Sequence, residues 1–104
     1  MNRSKYQEKK DLFERKLLAN LSELRTEGYS PSTIRAYINY TCDFLFYLRE
    51  NFLSEEKVKR TDIHCYIAKC KASNDTPKLI NRKVAAVRKY YSYLQKRGII
   101  NSNP

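Results

Sequence analysis

Glycine and proline are scarce in this chain, with 2 glycines and 3 prolines among 104 residues. So few turn-forming residues exclude a fold of many short strands, and a hydrophobic content of 41% excludes a collagenous or disordered chain. No apolar run approaches the roughly 20 residues that a bilayer span needs, and the charged residues 1–10 lead into no apolar stretch. We therefore expect one small helical domain that is neither secreted nor membrane-spanning.

Residues that carry chemistry are also few, since the chain has 1 histidine and 3 cysteines. Cys42, Cys65 and Cys70 show no C-x-x-C spacing, which predicts reduced, structural thiols in a cytoplasmic compartment. His64 and these cysteines do not match the paired arrangement of a zinc site. Two glycines cannot build a phosphate-binding loop, and the carboxylates are scattered among lysines and arginines. The sequence thus predicts no metal, no cofactor and no catalytic centre.

What the chain does have is hydrophobic residues at steps of three and four, in four segments. The segments are Lys5–Glu27, ended by Gly28; a second from the Ser30-Pro31 cap to about Glu50; a third from Thr61-Asp62 to the break at 73–75; and a fourth from the Thr76-Pro77 cap to Gly98. A capping hydroxyl before a proline favours a helix start, and a glycine favours a helix end. The clearest core stripe is Ile80, Val84, Val87, Tyr91 and Leu94.

Positive charge is concentrated at one end of the chain. The whole sequence has 21 Lys+Arg against 11 Asp+Glu, a net charge of +10, and no acidic residue follows Asp75. The basic residues beyond that point are Lys78, Arg82, Lys83, Arg88, Lys89, Lys96 and Arg97. Like charges at helical spacing repel one another, and an anionic partner would offset that cost. The pattern favours nucleic acid as the partner, and its alternative is a solvated basic face.

Two stretches carry a family resemblance. Residues 32–37 read STIRAY and residues 44–48 read FLFYL, while residues 76–94 read TPKLINRKVAAVRKYYSYL, followed by GII at 98–100 and NP at 103–104. In order and spacing they resemble the second helix, the last helix and the exit of the core-binding domain of tyrosine recombinases, the phage integrase and Xer-type family. The resemblance covers about residues 12–104.

The resemblance implies an all-α fold, a four-helix SAM-like core-binding bundle over residues 1–104, which forms one half of a clamp around DNA. In the family, the catalytic residues, including a His-x-x-Arg motif and a tyrosine nucleophile, belong to a C-terminal domain. Here His64 is followed by Cys65-Tyr66-Ile67, which is not a His-x-x-Arg motif. The resemblance therefore implies that this chain binds DNA and does not cut it. The family's DNA-contacting helices carry over to Ser32, Thr33 and Arg35 in the helix beginning at Pro31, and to Lys78, Asn81, Arg82, Lys83, Arg88 and Lys89 in the helix over 76–97. Ser32 and Thr33 can equally be ordinary residues of a first helical turn.

The implied partner is double-stranded DNA. The parent recombinase would be a bacterial or phage-derived, cytoplasmic and nucleoid-associated protein that self-associates on DNA, with the isolated domain monomeric. Two other functions stay open at this point: a stand-alone helical DNA-binding regulator, and a basic protein-interaction bundle without DNA affinity at ~0.1 M salt.

None of the nine tyrosines is predicted to be a nucleophile. Tyr37, Tyr66 and Tyr91 have the spacing of core residues, whereas Tyr90 and Tyr93 are expected at the core boundary.

Overall fold

The computed structural model describes residues 24–104. Residues 24–26 are helical and are designated α1; they are followed by α2 (Pro31–Glu50), a 3-10 turn (Glu55–Lys57), α3 (Arg60–Ala72) and α4 (Pro77–Lys96). No strand is present between residues 24 and 104. The prediction of an all-α domain is confirmed. All of the predicted Lys5–Glu27 helix before residue 24 lies outside the described residues.

The helix starts follow the capping pattern seen in the sequence. The Ser30 hydroxyl accepts a hydrogen bond from the backbone N–H of Thr33 at 3.2 Å, and Pro31 occupies the first turn of α2. The Thr76 hydroxyl caps α4 in the same way, accepting from the N–H of Leu79 at 3.2 Å. Each cap satisfies a backbone donor that the helix itself leaves unpaired, and such caps stabilise a helix by about 1 kcal/mol.

All four helices end in the same backbone motif, in which the residue after the C-cap adopts a positive φ and the next N–H reaches back to the last turn. Between residues 24 and 104, the residues with positive φ are Gly28 (89°), Phe52 (56°), Asn74 (65°) and Gly98 (73°). For α2, the N–H of Leu53 donates to the carbonyl of Leu48 at 2.8 Å and that of Phe52 to the carbonyl of Arg49 at 3.1 Å. Glycine and asparagine suit this conformation, and phenylalanine does not.

Replacing Phe52 with glycine is therefore expected to stabilise the domain. The Phe52 side chain is 97% exposed, so its removal loses no packing, while the left-handed backbone is relieved of a strain of about 1–2 kcal/mol. The added freedom of glycine in the unfolded chain offsets about half of this gain, which leaves about 0.5–1 kcal/mol in urea unfolding. Asn74→Gly is the matched control and is expected to change stability less; an unchanged or lower midpoint for Phe52→Gly would contradict the strain.

The core joins α2, α3 and α4 around one aromatic cluster. Phe44 is fully buried, and its ring contacts that of Tyr66 on α3 edge-on at 4.9 Å between centroids and that of Tyr91 on α4 at 6.2 Å. The other buried residues of the hydrophobic core around these rings are Cys42, Leu45, Leu48, Ile63, Cys70, Ile80, Val87, Tyr90, Leu94 and Ile100. The predicted α4 stripe is confirmed except that Val84 is only partly buried.

The connection between α2 and α3 is tied to α4 by two tyrosines. The Tyr91 hydroxyl donates to the backbone carbonyl of Glu55 at 2.7 Å, and the Tyr90 hydroxyl donates to the carboxylate of the same residue at 3.1 Å. Tyr90 is 2% exposed, so its predicted position at the core boundary is wrong. The reason is that its hydroxyl has a carboxylate partner, which allows the ring to be buried.

The remaining side-chain expectations concern Tyr37 and the cysteines. Tyr37 is half-buried, with its ring 5.5 Å from that of Tyr29. All three cysteines are thiols, buried at positions 42 and 70 and exposed on α3 at position 65. Burial raises the pKa of the Cys70 thiol, which suits an unreactive core residue. Within residues 24–104, no helix combines the length and apolar character required to cross a bilayer.

Candidate nucleic-acid interface

The outward face of α4 is a basic surface. Its core stripe turns toward α2 and α3, so residues on the opposite side of the helix and beside the stripe reach solvent. The exposed residues of this face are Lys78, Asn81, Arg82, Ala85, Arg88 and Lys96. Because α4 contains no carboxylate, this face presents charge of one sign.

The beginning of α2 lies beside this face. A shallow depression of about 330 Å³ is lined by Ser32, Thr33, Ala36 and Tyr37 from α2 and by Arg82 and Ala85 from α4. The structure thus brings together three residues that were predicted for DNA contact from separate parts of the sequence. Two of the six lining residues are alanines, Ala36 and Ala85, one from each helix.

Ser32 and Thr33 belong to a hydroxyl cluster at the start of α2. The Ser30 hydroxyl donates to that of Thr33 at 2.9 Å and lies 3.2 Å from that of Ser32. These hydroxyls stand next to the N–H groups of a helix N-terminus, where anions are favoured. Arg35 is exposed one turn further along α2, outside the residues that line the depression.

Two of the predicted lysines are held by carboxylates. Lys83 donates to Asp75 at 2.6 Å, and Lys89 donates to Glu27, with its ammonium group 5.5 Å above the Tyr29 ring. Hydrogen bonding from these lysines lowers the pKa of both carboxyl groups. Burial opposes the charge of Lys83, but Asp75, Cys70 and Asp43 together outweigh that effect and the pKa of Lys83 is raised. Both lysines are therefore cations that already have an anionic partner.

Asn81 and Arg88 face the other neighbour of α4. Both line a cavity with Ile67 and Lys71 of α3, whereas Arg82 lines the depression beside α2. Ala85 borders both hollows, which makes the outward face of α4 a ridge between them. The predicted residues are thus divided between the two flanks of this ridge.

Sequence reasoning missed two contributors to this surface. Ala85 is not among the residues predicted to contact DNA. A small residue between long basic ones on the exposed side of α4 is nevertheless a signal for a place where a ligand can approach the helix. Glu27 was not selected either, and no local signal existed because it lies 62 positions from Lys89.

Three tyrosines of α3 and α4 lie in the core and not on this surface. Tyr66, Tyr90 and Tyr91 are each at most 3% exposed, and burial is the largest cause of their raised phenol pKa values. Two of their hydroxyl groups, those of Tyr90 and Tyr91, are directed to Glu55 in the connection between α2 and α3.

Comparison with known proteins places this chain in a family. Residues 15–98 match the family model described as phage integrase, N-terminal SAM-like domain. The chain is 31% identical over 86 residues to the tyrosine recombinase XerC of Listeria welshimeri, an alignment that covers 81% of this chain and 29% of that protein. It is 32% identical over 95 residues to a tyrosine recombinase of Pseudothermotoga lettingae, which covers 86% of this chain and 32% of the relative.

A further relative, the tyrosine recombinase XerC of Lacticaseibacillus casei, is 28% identical over 78 residues, covering 73% of this chain and 26% of the relative. No solved structure gives a significant match. The chain spans about three tenths of the length of its curated relatives. The all-helical architecture, the matched residues and these relatives agree: the chain belongs to the N-terminal SAM-like domain family of phage integrases and is a tyrosine recombinase core-binding domain.

Proposed function

We propose that this chain binds double-stranded DNA as the core-binding domain of a site-specific tyrosine recombinase. The observation that carries the proposal is the outward face of α4. This face presents positive charges without any carboxylate of its own helix, and it lies beside the N-terminus of α2. Strand cleavage and rejoining then belong to a part of the parent protein outside this chain, in agreement with the 29% of the Listeria relative that is covered.

Phosphate neutralisation supplies most of the binding in this proposal. Lys78, Arg82 and Arg88 are exposed and have no carboxylate at ion-pair distance within residues 24–104. Each phosphate that is neutralised on duplex DNA contributes about −0.9 to the slope of log K against log salt. Asn81 adds an amide whose donor and acceptor match an adenine edge in the major groove.

Fluorescence anisotropy with a ~30-bp duplex, titrated across salt, tests the proposal. We expect micromolar or tighter binding and a slope of about −2.7 or steeper, which corresponds to three phosphates. Duplexes of varied sequence separate base reading by Asn81 from backbone binding. Absence of binding even at low salt would refute the proposal for this domain and favour a protein-interaction bundle. Sedimentation of the free chain checks the expected monomer.

Glu27→Gln is expected to strengthen DNA binding by several-fold. Glu27 accepts a hydrogen bond from Lys89 and competes with a phosphate for that ammonium group. Neutralising this carboxylate weakens its attraction for Lys89 and makes the salt slope steeper by about 0.9 if the lysine then meets a phosphate.

Glu56→Gln is the matched control, because Glu56 is also exposed and the change in net charge is the same. An equal gain in both variants would mean that net charge alone is responsible and that Glu27 does not restrain Lys89. The measurement is the same anisotropy titration, performed on both variants at a series of salt concentrations.

A further inference from the structure

A groove runs between α3 and α4 on the flank of the ridge that faces away from α2. It consists of two adjoining cavities, of about 610 Å³ and about 680 Å³, which share Ile67, Val84 and Arg88 as lining residues. Along α3 the lining extends from Arg60 to Lys71, which is about 16 Å or three helical turns. The groove is therefore long enough for a short peptide segment.

The floor of the groove is aliphatic. Ile63, Val87 and Ile80 are buried beneath it, while Ile67 and Val84 pack against the core and remain half-exposed toward the groove. Within residues 24–104, the cavities are lined by α3, α4, Asp75 between them and, at one end, Asn103 and Pro104 of the C-terminal segment. The end of α1 lies elsewhere, where Glu27 meets Lys89. Two aliphatic side chains are thus available to an apolar partner.

The rim of the groove is basic on both sides. Arg60 and Lys71 from α3 and Arg88 from α4 are exposed, and none has a carboxylate at ion-pair distance in the described chain. Asp75 is the acidic residue among those lining the groove, and its charge is compensated by Lys83 at 2.6 Å. An occupant that complements this rim carries carboxylates along both of its edges.

DNA complements the basic rim of this groove but not its apolar floor. Phosphates can neutralise the rim, but a phosphate backbone leaves Ile67 and Val84 without an apolar partner, and burial of apolar area is the main source of affinity in such a groove. An extended peptide would leave its own N–H and C=O groups unpaired between two helices, because neither helix offers a free edge. A helix satisfies its backbone internally and can place one apolar face in the groove.

We propose that the α3–α4 groove binds an amphipathic, acidic helix of a protein partner. The occupant is about three turns long, with aliphatic or aromatic residues at i, i+3 or i+4, and i+7 over Ile67 and Val84. Aspartate or glutamate residues on its two edges meet Arg60 and Lys71 on one side and Arg88 on the other. This site is separate from the depression beside α2, but it shares Arg88 and Asn81 with the proposed DNA-binding face. Arg60, Lys71, Ile67 and Val84 belong to the groove alone, and the variants that test it are therefore made at those positions.

Selection from a random peptide library displayed on phage tests the proposal. The intact 104-residue chain is the target, and the Arg60→Glu/Lys71→Glu variant is used for counter-selection. We expect enrichment of peptides with apolar residues at helical spacing and an excess of Asp and Glu. A synthetic enriched peptide should bind the native chain in anisotropy and lose at least tenfold in affinity with the double variant.

Two further variants separate the rim from the floor and from net charge. Val84→Ala removes floor without changing charge and is expected to weaken peptide binding several-fold, with circular dichroism confirming the fold. Arg49→Glu/Lys57→Glu makes the same charge change at exposed positions outside the groove and is expected to leave peptide binding within about twofold of native.

The outcomes that would overturn the proposal are distinct. Enrichment of peptides without acidic, amphipathic character would exclude the groove as their site. So would peptide affinity that is unchanged in both Val84→Ala and Arg60→Glu/Lys71→Glu. Self-association that Arg60→Glu/Lys71→Glu abolishes would identify a second copy as the occupant instead. Loss of duplex binding in that variant, beyond the loss in Arg49→Glu/Lys57→Glu, would assign the groove to DNA. Failure of the proposed DNA binding would be seen in a different measurement, as a native chain that does not bind duplex DNA.

Discussion

Replacing Lys78, Arg82 and Arg88 together with alanine is expected to reduce the affinity for duplex DNA by about 10²- to 10³-fold at 0.1 M salt. Each phosphate contact is worth about one decade in affinity at that salt concentration, relative to 1 M, because its contribution to the slope is about −0.9. Losing three contacts should therefore also flatten the slope by about 2.7. All three side chains are exposed on the outward face of α4, so the variant is expected to keep its fold.

The matched control is Arg49→Ala/Lys57→Ala/Lys59→Ala, which removes three exposed cations from the far end of α2 and the connection that follows it. Its net charge equals that of the first variant. We expect its salt slope to stay within about 1 of the native value. If both triple variants lost the same affinity and slope, DNA would be attracted by net charge without a defined face, and the outward face of α4 would lose its assignment.

Single substitution of Arg82 refines the same experiment. Arg82 lines the depression with Ser32 and Thr33, so Arg82→Ala should flatten the slope by about 1 on its own. An unchanged slope would remove Arg82 from the phosphate contacts and shift the interface toward the α3 flank of the ridge.

Phe44→Ala is expected to have the largest effect on stability, a loss of about 3–5 kcal/mol in urea or thermal unfolding. Phe44 is fully buried, and its ring contacts Tyr66 and Tyr91 on two different helices. The substitution leaves a cavity where α2, α3 and α4 meet. Since domains are stable by only about 5–15 kcal/mol, a fall in Tm of more than about 12 °C is expected.

Phe52→Ala is the control for this prediction, since it deletes the same side chain from a position that is 97% exposed. We expect it to change stability by less than about 0.5 kcal/mol. Similar losses in the two variants would contradict the central place of Phe44 in the core, because burial is the main difference between the two sites.

The sequence was sufficient to predict the fold because its local signals agree with one another. The Ser30-Pro31 and Thr76-Pro77 caps, the stops at Gly28 and Gly98, and the stripe in α4 all indicate the same helices. The end of α2 carried no such signal, since Phe52 occupies a position at which glycine is the usual residue. Its backbone conformation is imposed by the helices on either side, which a local pattern does not reveal.

The candidate site was predictable in composition and less so in arrangement. Helical spacing identified the cations on the outward face of α4, and the family resemblance added the start of α2. Which of those cations already have partners depends on contacts between distant segments, such as Glu27 with Lys89. Burial of Tyr90 likewise depends on Glu55, 35 positions away. Helical periodicity contains no information about such pairs.

The tie between Glu55 and α4 has a consequence for how the molecule opens. Two tyrosine hydroxyls from adjacent positions of α4 hold one residue of the connection between α2 and α3. A surface connection usually fluctuates by itself, at a low free-energy cost. Here the turn at Glu55–Lys57 can detach only if buried phenols lose their partners, so it belongs to the same cooperative unit as α4. We therefore expect the basic helix and this connection to open and close together in hydrogen exchange, with similar protection in the turn and in the second half of α4.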